Sequence, residues 1–203
     1  MHFDERQATN PAAIEILEIC DAGHYTSASG RRVSIAHAQQ AAVGGTRYFS
    51  PEDGVAPAPG QPGSDGPRVE VIDATTQEAS LQLADEGDVA ALNFASARNP
   101  GGGFLGGARA QEEEVCRCSG LYRCLVTAPE YYTYHRAHRS LLYSDRMIYS
   151  PKVPFFRTAA KQPLLEEPFL VSVITAPAPN AGAIARNAPD DARHIAETLR
   201  RRW

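Results

Sequence analysis

Apolar residues along this chain change period several times, and the changes mark its elements. In residues 11–20, PAAIEILEIC, Ile14, Leu17 and Ile19 recur near helical spacing behind Asn10 as a cap and Pro11 in the first turn, and Gly23 supplies the stop. A second helical pattern, VSIAHAQQAAV, covers residues 33–43 and halts at Gly44 and Gly45. Residues 51–67, PEDGVAPAPGQPGSDGP, carry too much proline and glycine to pack and predict a flexible surface loop. Beyond it the pattern alternates. Residues 68–73 (RVEVID) predict a strand, residues 75–87 a helix capped by Thr75 or Thr76, and residues 88–96 (DVAALNFAS) an apolar strand suited to a sheet buried on both faces. Residues 146–156 and 168–179 add two strands. Residues 190–203 begin a helix behind Pro189, with Ala192, Ile195, Ala196 and Leu199 on one face. Strands alternating with helices predict an α/β layered domain. No internal repeat appears.

Length and charge narrow the picture. At 203 residues and 43% hydrophobic content the chain can build one domain of ordinary size with its own core, preceded by a helical N-terminal extension. A formal net charge of −4 excludes a broad electropositive surface, so no direct DNA binding is expected and a polyanionic partner has to be held by a local site. No apolar run approaches the roughly 20 residues that span a bilayer, and the N-terminal stretch lacks the basic-then-apolar layout of a signal peptide. A cytosolic monomer without membrane contact is expected. Cys20, Cys116, Cys118 and Cys124 are then reduced thiols. Cys116, Cys118 and Cys124 lack paired C-x2-C spacing and have no His nearby except His135 and His138 further on, so buried thiols are preferred over a zinc site, and neither metal nor cofactor is expected.

The chemistry concentrates in residues 93–117, NFASARNPGGGFLGGARAQEEEVCR. Gly101, Gly102 and Gly103 remove side chains where a backbone has to approach a ligand closely. Seven residues on, Gln111, Glu112, Glu113 and Glu114 crowd an amide and three carboxylates into one helical turn. A loop able to cradle an anion on backbone amides, followed by an acidic turn, suits a substrate with phosphates at one end and an acid-labile bond at the other; glycoside hydrolysis fits best. Gly101, Gly103 and Gly106 also satisfy G-x-G-x-x-G. A dinucleotide loop needs an acid about 20 positions on, where this chain reads GLYRCLV, and a Walker loop needs a Lys-Ser or Lys-Thr that is missing. Asn99, before Pro100, is either a turn former or a hydrogen-bonding partner for a ribose hydroxyl. Successive helical residues project about 100° apart, so the three glutamates cannot all serve one site. Arg98, Arg109 and Arg117 flank the motif as phosphate partners or as partners of neighbouring glutamates. Tyr131, Tyr132, Tyr134, His135 and His138 either wall a pocket or cover a core edge with wet hydroxyls.

The triple glycine, the fixed gap and Gln-Glu-Glu together resemble the signature of microbial-type poly(ADP-ribose) glycohydrolases. Looser similarity runs from about Asn10, through AGHYTSASGRRVSIA, to roughly Asn180. The resemblance implies a macrodomain-like mixed sheet flanked by helices, with residues 1–50 as the N-terminal extension, 51–67 as the loop and 68–203 as the catalytic core. It implies poly(ADP-ribose) and ADP-ribose as ligands, Glu113 as the general acid/base, Glu112 orienting a ribose hydroxyl, Gln111 close by and Glu114 facing solvent. It tips Asn99 toward substrate contact and places Asp73, at a strand end, where such folds bind adenine. For Glu113 to act as an acid its pKa has to rise, which burial and the neighbouring Glu112 would both favour.

Two departures qualify the match. The family's second glycine-rich segment, of the G-x-G-x-F-x-N type, cannot be found, and the chain stops inside a helical pattern without a stop signal, so a fragment lacking a core strand is expected. The rival reading is an ADP-ribose-binding module without turnover.

Overall fold

The computed structural model describes residues 8–54 and 68–202. Helix α1 (Pro11–Ala22) forms where the pattern placed it: Asn10 Oδ1 accepts from the backbone N–H groups of Ala12 and Ala13, and Gly23 closes the end with a bond from its N–H to the Ile19 carbonyl. Its buried face is Ala13, Ile16, Leu17, Ile19 and Cys20, one position round from the expected stripe, and Ile14 is exposed. Strands β1 (His24–Thr26) and β2 (Arg32–Ser34) pair antiparallel. The helix expected over 33–43 is therefore shorter: Val33 lies in β2, and α2 (Ala36–Gly45) follows. β3 (Arg47–Phe49) and a 3-10 turn at Pro51–Asp53 come next. The rest of the expected loop, residues 55–67, lies outside the described residues.

The strand expected at 68–73 is not formed. Val69 and Val71 are almost fully exposed, since the alternation in RVEVID finds no sheet to join, and Asp73 sits in an exposed bend instead of at a strand end. Helix α3 (Thr76–Leu83) is capped by Thr75, whose hydroxyl accepts from Glu78 N–H while Glu78 accepts from Thr75 N–H. β4 (Val89–Ala95), β5 (Met147–Phe155) and β6 (Phe169–Pro177) complete a mixed sheet in the order β3-β5-β6-β4. β5 runs antiparallel to both neighbours, and β4 is parallel to β6, with Asn93 opposite Thr175 and Ala95 opposite Pro177. β4 is thus an edge strand with Phe94 exposed, not a strand covered on both faces.

Between β4 and β5 lie α4 (Gln111–Cys118), α5 (Leu121–Leu125) and α6 (Pro129–Ala137). They carry much of the core: Leu121, Tyr122, Leu125, Tyr131 and Tyr132 pack with Phe104, Ile148, Phe155 and Val171. After β6 come α7 (Ala181–Asn187), a 3-10 segment and α8 (Ile195–Arg202). The last expected helix is therefore divided into a 3-10 turn at Pro189–His194 and α8. The parallel pair β4 and β6 ends at one side of the sheet, so the segments that follow both strands share the crevice typical of α/β sheets.

Candidate active site

The glycine loop leaves the carboxyl end of β4, and α4 returns to pack beneath it. Gly103 N–H donates to Glu113 Oε1 at 2.8 Å, and Ser96 N–H donates to Glu112 Oε2 at 2.6 Å. Both carboxylates therefore face the loop despite the angular step between consecutive helical residues, because each bends toward a different backbone donor on either side of Asn99. Glu112 is 3% exposed and Glu113 7% exposed. Their second oxygens, Glu112 Oε1 and Glu113 Oε2, are buried without a protein hydrogen-bond partner, which puts two unsatisfied carboxyl oxygens in one place.

Burial pushes the Glu112 carboxyl up to about 8; the Ser96 N–H opposes the rise and the Glu113 charge adds to it. In so dry a place Glu112 keeps its proton at neutral pH. Asn93, fully buried on β4, also reaches Glu112 and donates to Thr175 Oγ1 at 3.2 Å. Its Oδ1 lacks a donor, which a protonated Glu112 would supply. Sequence reasoning missed Asn93. The signal was there, an amide in the middle of an apolar strand, where a buried polar side chain needs a partner.

Glu114 is only partly solvent-facing. It pairs with the buried Arg117 at 3.1 Å and accepts from Ala160 N–H at 2.8 Å, and Arg117 also donates to the Ala108 carbonyl. Arg117 is therefore the partner of a glutamate. Gln111 works differently from expectation: its amide donates to the Leu92 carbonyl at 2.6 Å and to Thr76 Oγ1 at 3.2 Å, and its Oε1 accepts from Phe94 N–H at 2.9 Å. It takes up the open edge of β4 in place of a neighbouring strand.

The loop itself is a turn. Gly102 N–H donates to the Asn99 carbonyl and Phe104 N–H to that of Gly101, while Gly103 N–H is held by Glu113. The amides expected to cradle phosphate at Gly102 and Gly103 are thus committed to protein acceptors, and the loop's glycines serve chiefly to let two carboxylates come close beneath it. Asn99, whose carbonyl accepts the Gly102 N–H, is exposed at the start of this turn. Asp73 stands in its bend three residues before Thr76, and no hydrogen bond or ion pair among the described residues joins it to the loop.

Two cavities flank the motif. One of about 400 Å³ is lined by Gly107, Arg109, Glu114, Arg117 and Lys161. The other, of about 710 Å³, is lined by Arg98, Arg136, Arg139, Asn187 and Asp191 among others. Tyr131 and Tyr132 are fully buried in the core, against the expectation of wet hydroxyls, and His135 stacks edge-on against Tyr131. Cys20, Cys116, Cys118 and Cys124 are buried free thiols. No helix among the described residues is long and apolar enough to cross a membrane.

The family model described as the microbial-type PARG catalytic domain matches residues 13–158. Among solved structures, the poly(ADP-ribose) glycohydrolase of Thermomonospora curvata is 45% identical, with 98% of this chain and 73% of that one covered and a TM-score of 0.84. The same enzyme bound to the inhibitor ADP-HPD gives 43% identity over 98% and 72% of the two chains, with a TM-score of 0.80. The poly(ADP-ribose) glycohydrolase of Deinococcus radiodurans in complex with ADP-ribose is 47% identical over 81% and 67%, with a TM-score of 0.71. No curated protein matches the chain.

Proposed function

The chain belongs to the microbial-type poly(ADP-ribose) glycohydrolase family, and from that premise we propose that it cleaves the ribose–ribose O-glycosidic bonds of poly(ADP-ribose), with Glu113 as the acid that protonates the leaving oxygen. The observation that carries the residue assignment is the pair of buried, adjacent carboxyls under the glycine loop, one fixed by Gly103 N–H and the other by Ser96 N–H. Glu113 Oε2 is a buried oxygen without a protein hydrogen-bond partner, the atom to which this reading gives the transferred proton.

In this reading Glu113 O–H protonates the glycosidic oxygen as the C–O bond breaks. The departing sugar keeps the bonding electrons as its hydroxyl, and the other ribose becomes an oxocarbenium-like cation that the substrate's own phosphates stabilise. Water then adds to the cation and returns its proton to the Glu113 carboxylate. Glu112 holds a ribose hydroxyl and Asn99 meets the sugar at the start of the turn. Asp73 is kept as an adenine contact, supported only by the resemblance. The sheet is read as macrodomain-like. The protein is read as a cytosolic monomer that binds no DNA, which the net charge of −4 and four buried free thiols support.

Incubation of the purified protein with labelled poly(ADP-ribose) tests the reading, and release of ADP-ribose is expected. Glu113→Gln is expected to leave the ADP-ribose Kd within about twofold of wild type while turnover falls by at least about a hundredfold, the scale of a lost general acid. Binding without release by the wild-type chain would favour the module without turnover, and near-normal turnover by Glu113→Gln would remove Glu113 from its role.

A further inference from the structure

The sequence assigned phosphate recognition to the amides of the glycine loop, yet those of Gly102 and Gly103 already donate to Asn99 and Glu113. A substrate carrying a pyrophosphate in every unit still has to find cations on a chain whose net charge is −4. The cleft of about 710 Å³ supplies them: Arg98, Arg136 and Arg139 line it, with Ser140, Asn187 and a single carboxylate, Asp191.

The position of this cleft follows from the topology. Arg98 lies three residues past the end of β4 and directly before Asn99, on the segment that becomes the glycine turn. Asn187 ends α7, which follows the parallel partner β6, and Arg136 lies on α6 with Arg139 just beyond it. The Asn180 N–H bond to the Leu141 carbonyl ties the segment after β6 to the one after α6. Ligands of α/β sheets lie where the carboxyl ends of parallel strands open into a crevice, and this cleft is there. Among the described residues Arg98 and Arg139 make no ion pair, whereas Arg117, Arg123, Arg146 and Arg157 each hold a carboxylate. A guanidinium offers a planar fork that matches two phosphate oxygens at once.

We propose that the cleft formed by Arg98, Arg136 and Arg139 is a pyrophosphate subsite for ADP-ribosyl chains. The inference rests on the glycohydrolase reading and deepens it, because it names the cationic group that holds the polymer beside the acidic pair. The pyrophosphate belongs either to the ADP-ribosyl unit seated at the glycine loop or to its neighbour along the polymer, and the two sources separate in a binding experiment.

Binding is measured in the Glu113→Gln background, so that polymer is not consumed, with ADP-ribose and with a defined poly(ADP-ribose) oligomer over a range of salt. Arg98→Glu combined with Arg139→Glu is expected to weaken oligomer binding at least tenfold and to flatten the plot of log K against log salt by about 0.7 for each phosphate that is no longer neutralised. Equal loss for ADP-ribose and oligomer assigns the subsite to the seated unit; loss for the oligomer alone assigns it to the neighbour. Arg47→Glu, on β3 at the opposite edge of the sheet, is the control for net charge and is expected to leave the salt slope unchanged. Arg98→Lys with Arg139→Lys is expected to recover part of the affinity, as a point charge without the fork would. Unchanged affinity and salt slope for both ligands in the glutamate variant, with ADP-ribose still bound, would overturn the subsite and leave the glycohydrolase reading standing. A parent protein that binds neither ligand would overturn both.

Discussion

Gly102 sets how closely the two carboxyls can lie beneath the loop. A Cβ there would overlap Glu113 Oε1 and stand 3.0 Å from Glu112 Oε2, and the backbone is left-handed at φ +59°. Alanine at this position combines strain of about 1 kcal/mol with displacement of the acid. Misplacement of a catalytic group by about 1 Å costs on the order of a hundredfold in rate. Gly102→Ala is therefore expected to lower kcat by ten- to a hundredfold while the melting temperature falls by only a few degrees. Gly30 makes the comparison fair: it too is left-handed, at φ +86°, but nothing lies within 4 Å of where its Cβ would be. Gly30→Ala should show the strain in thermal melting and leave turnover alone. Equal turnover in the two variants would mean that Gly102 does not govern the position of Glu113.

Helix α4 and strand β4 are locked together by Gln111, whose amide both donates to and accepts from the β4 backbone. That contact explains why the glutamine of the motif follows the glycine turn at a fixed distance: the lock sets the register that brings Glu112 to Ser96 and Glu113 to Gly103. Gln111→Ala removes the bonds to the Phe94 N–H and the Leu92 carbonyl and is expected to cost about 1–2 kcal/mol, seen as a fall in melting temperature of roughly 2–8 °C, with kcat reduced and ADP-ribose affinity nearly unchanged. A side chain that touched substrate would give the opposite split, with weaker ligand binding and an unaltered melt. The type of these elements was legible in the sequence, because long apolar runs at 88–96, 146–156 and 168–179 and the glycine-to-glutamate spacing report local period. Other features depended on distant partners. RVEVID alternates as a strand should, yet its valines are exposed because no sheet edge receives it. α6 was hidden because Tyr131, Tyr132 and His135 read as a pocket wall or a core edge with wet hydroxyls, whereas their burial depends on β5 and the core behind it. Asn93 and Gln111 took their roles from register and edge position, which no period encodes.

Across the whole molecule, the buried ionisable groups set opposing trends in stability. His135, bonded to the Tyr131 carbonyl through Nδ1 at 2.8 Å and facing Ser144 through Nε2, is pulled down to about 4 by burial, with Arg146 and Arg202 nearby adding to the fall. The unfolded chain binds that proton near pH 6.5 and the folded one resists it, so stability is lost as pH falls from about 6.5 to 4. Glu112 acts in the other direction. Its carboxyl titrates at 4.5 when free and at about 8 when folded, so the unfolded chain releases a proton that the folded chain keeps, and stability declines as pH rises through that interval. Depressed carboxyls such as Asp145 matter only in acid, and the thiols of Cys20 and Cys118, pushed up to about 12, matter only above pH 9. Among the described groups with shifted pKa values, Glu112 is the one whose shift spans pH 6.5 to 8. The melting temperature of the wild-type chain is expected to drop across that range, and Glu112→Gln, neutral at every pH, should remove the drop and exceed the wild type at pH 8. A wild-type melting temperature that stays level from pH 6.5 to 8, or a Glu112→Gln variant that declines in parallel with it, would show that this carboxyl is not held protonated beneath the glycine turn. Glu112 would then enter the reaction ionised, and the proton it was taken to hold beside Glu113 would have to come from elsewhere.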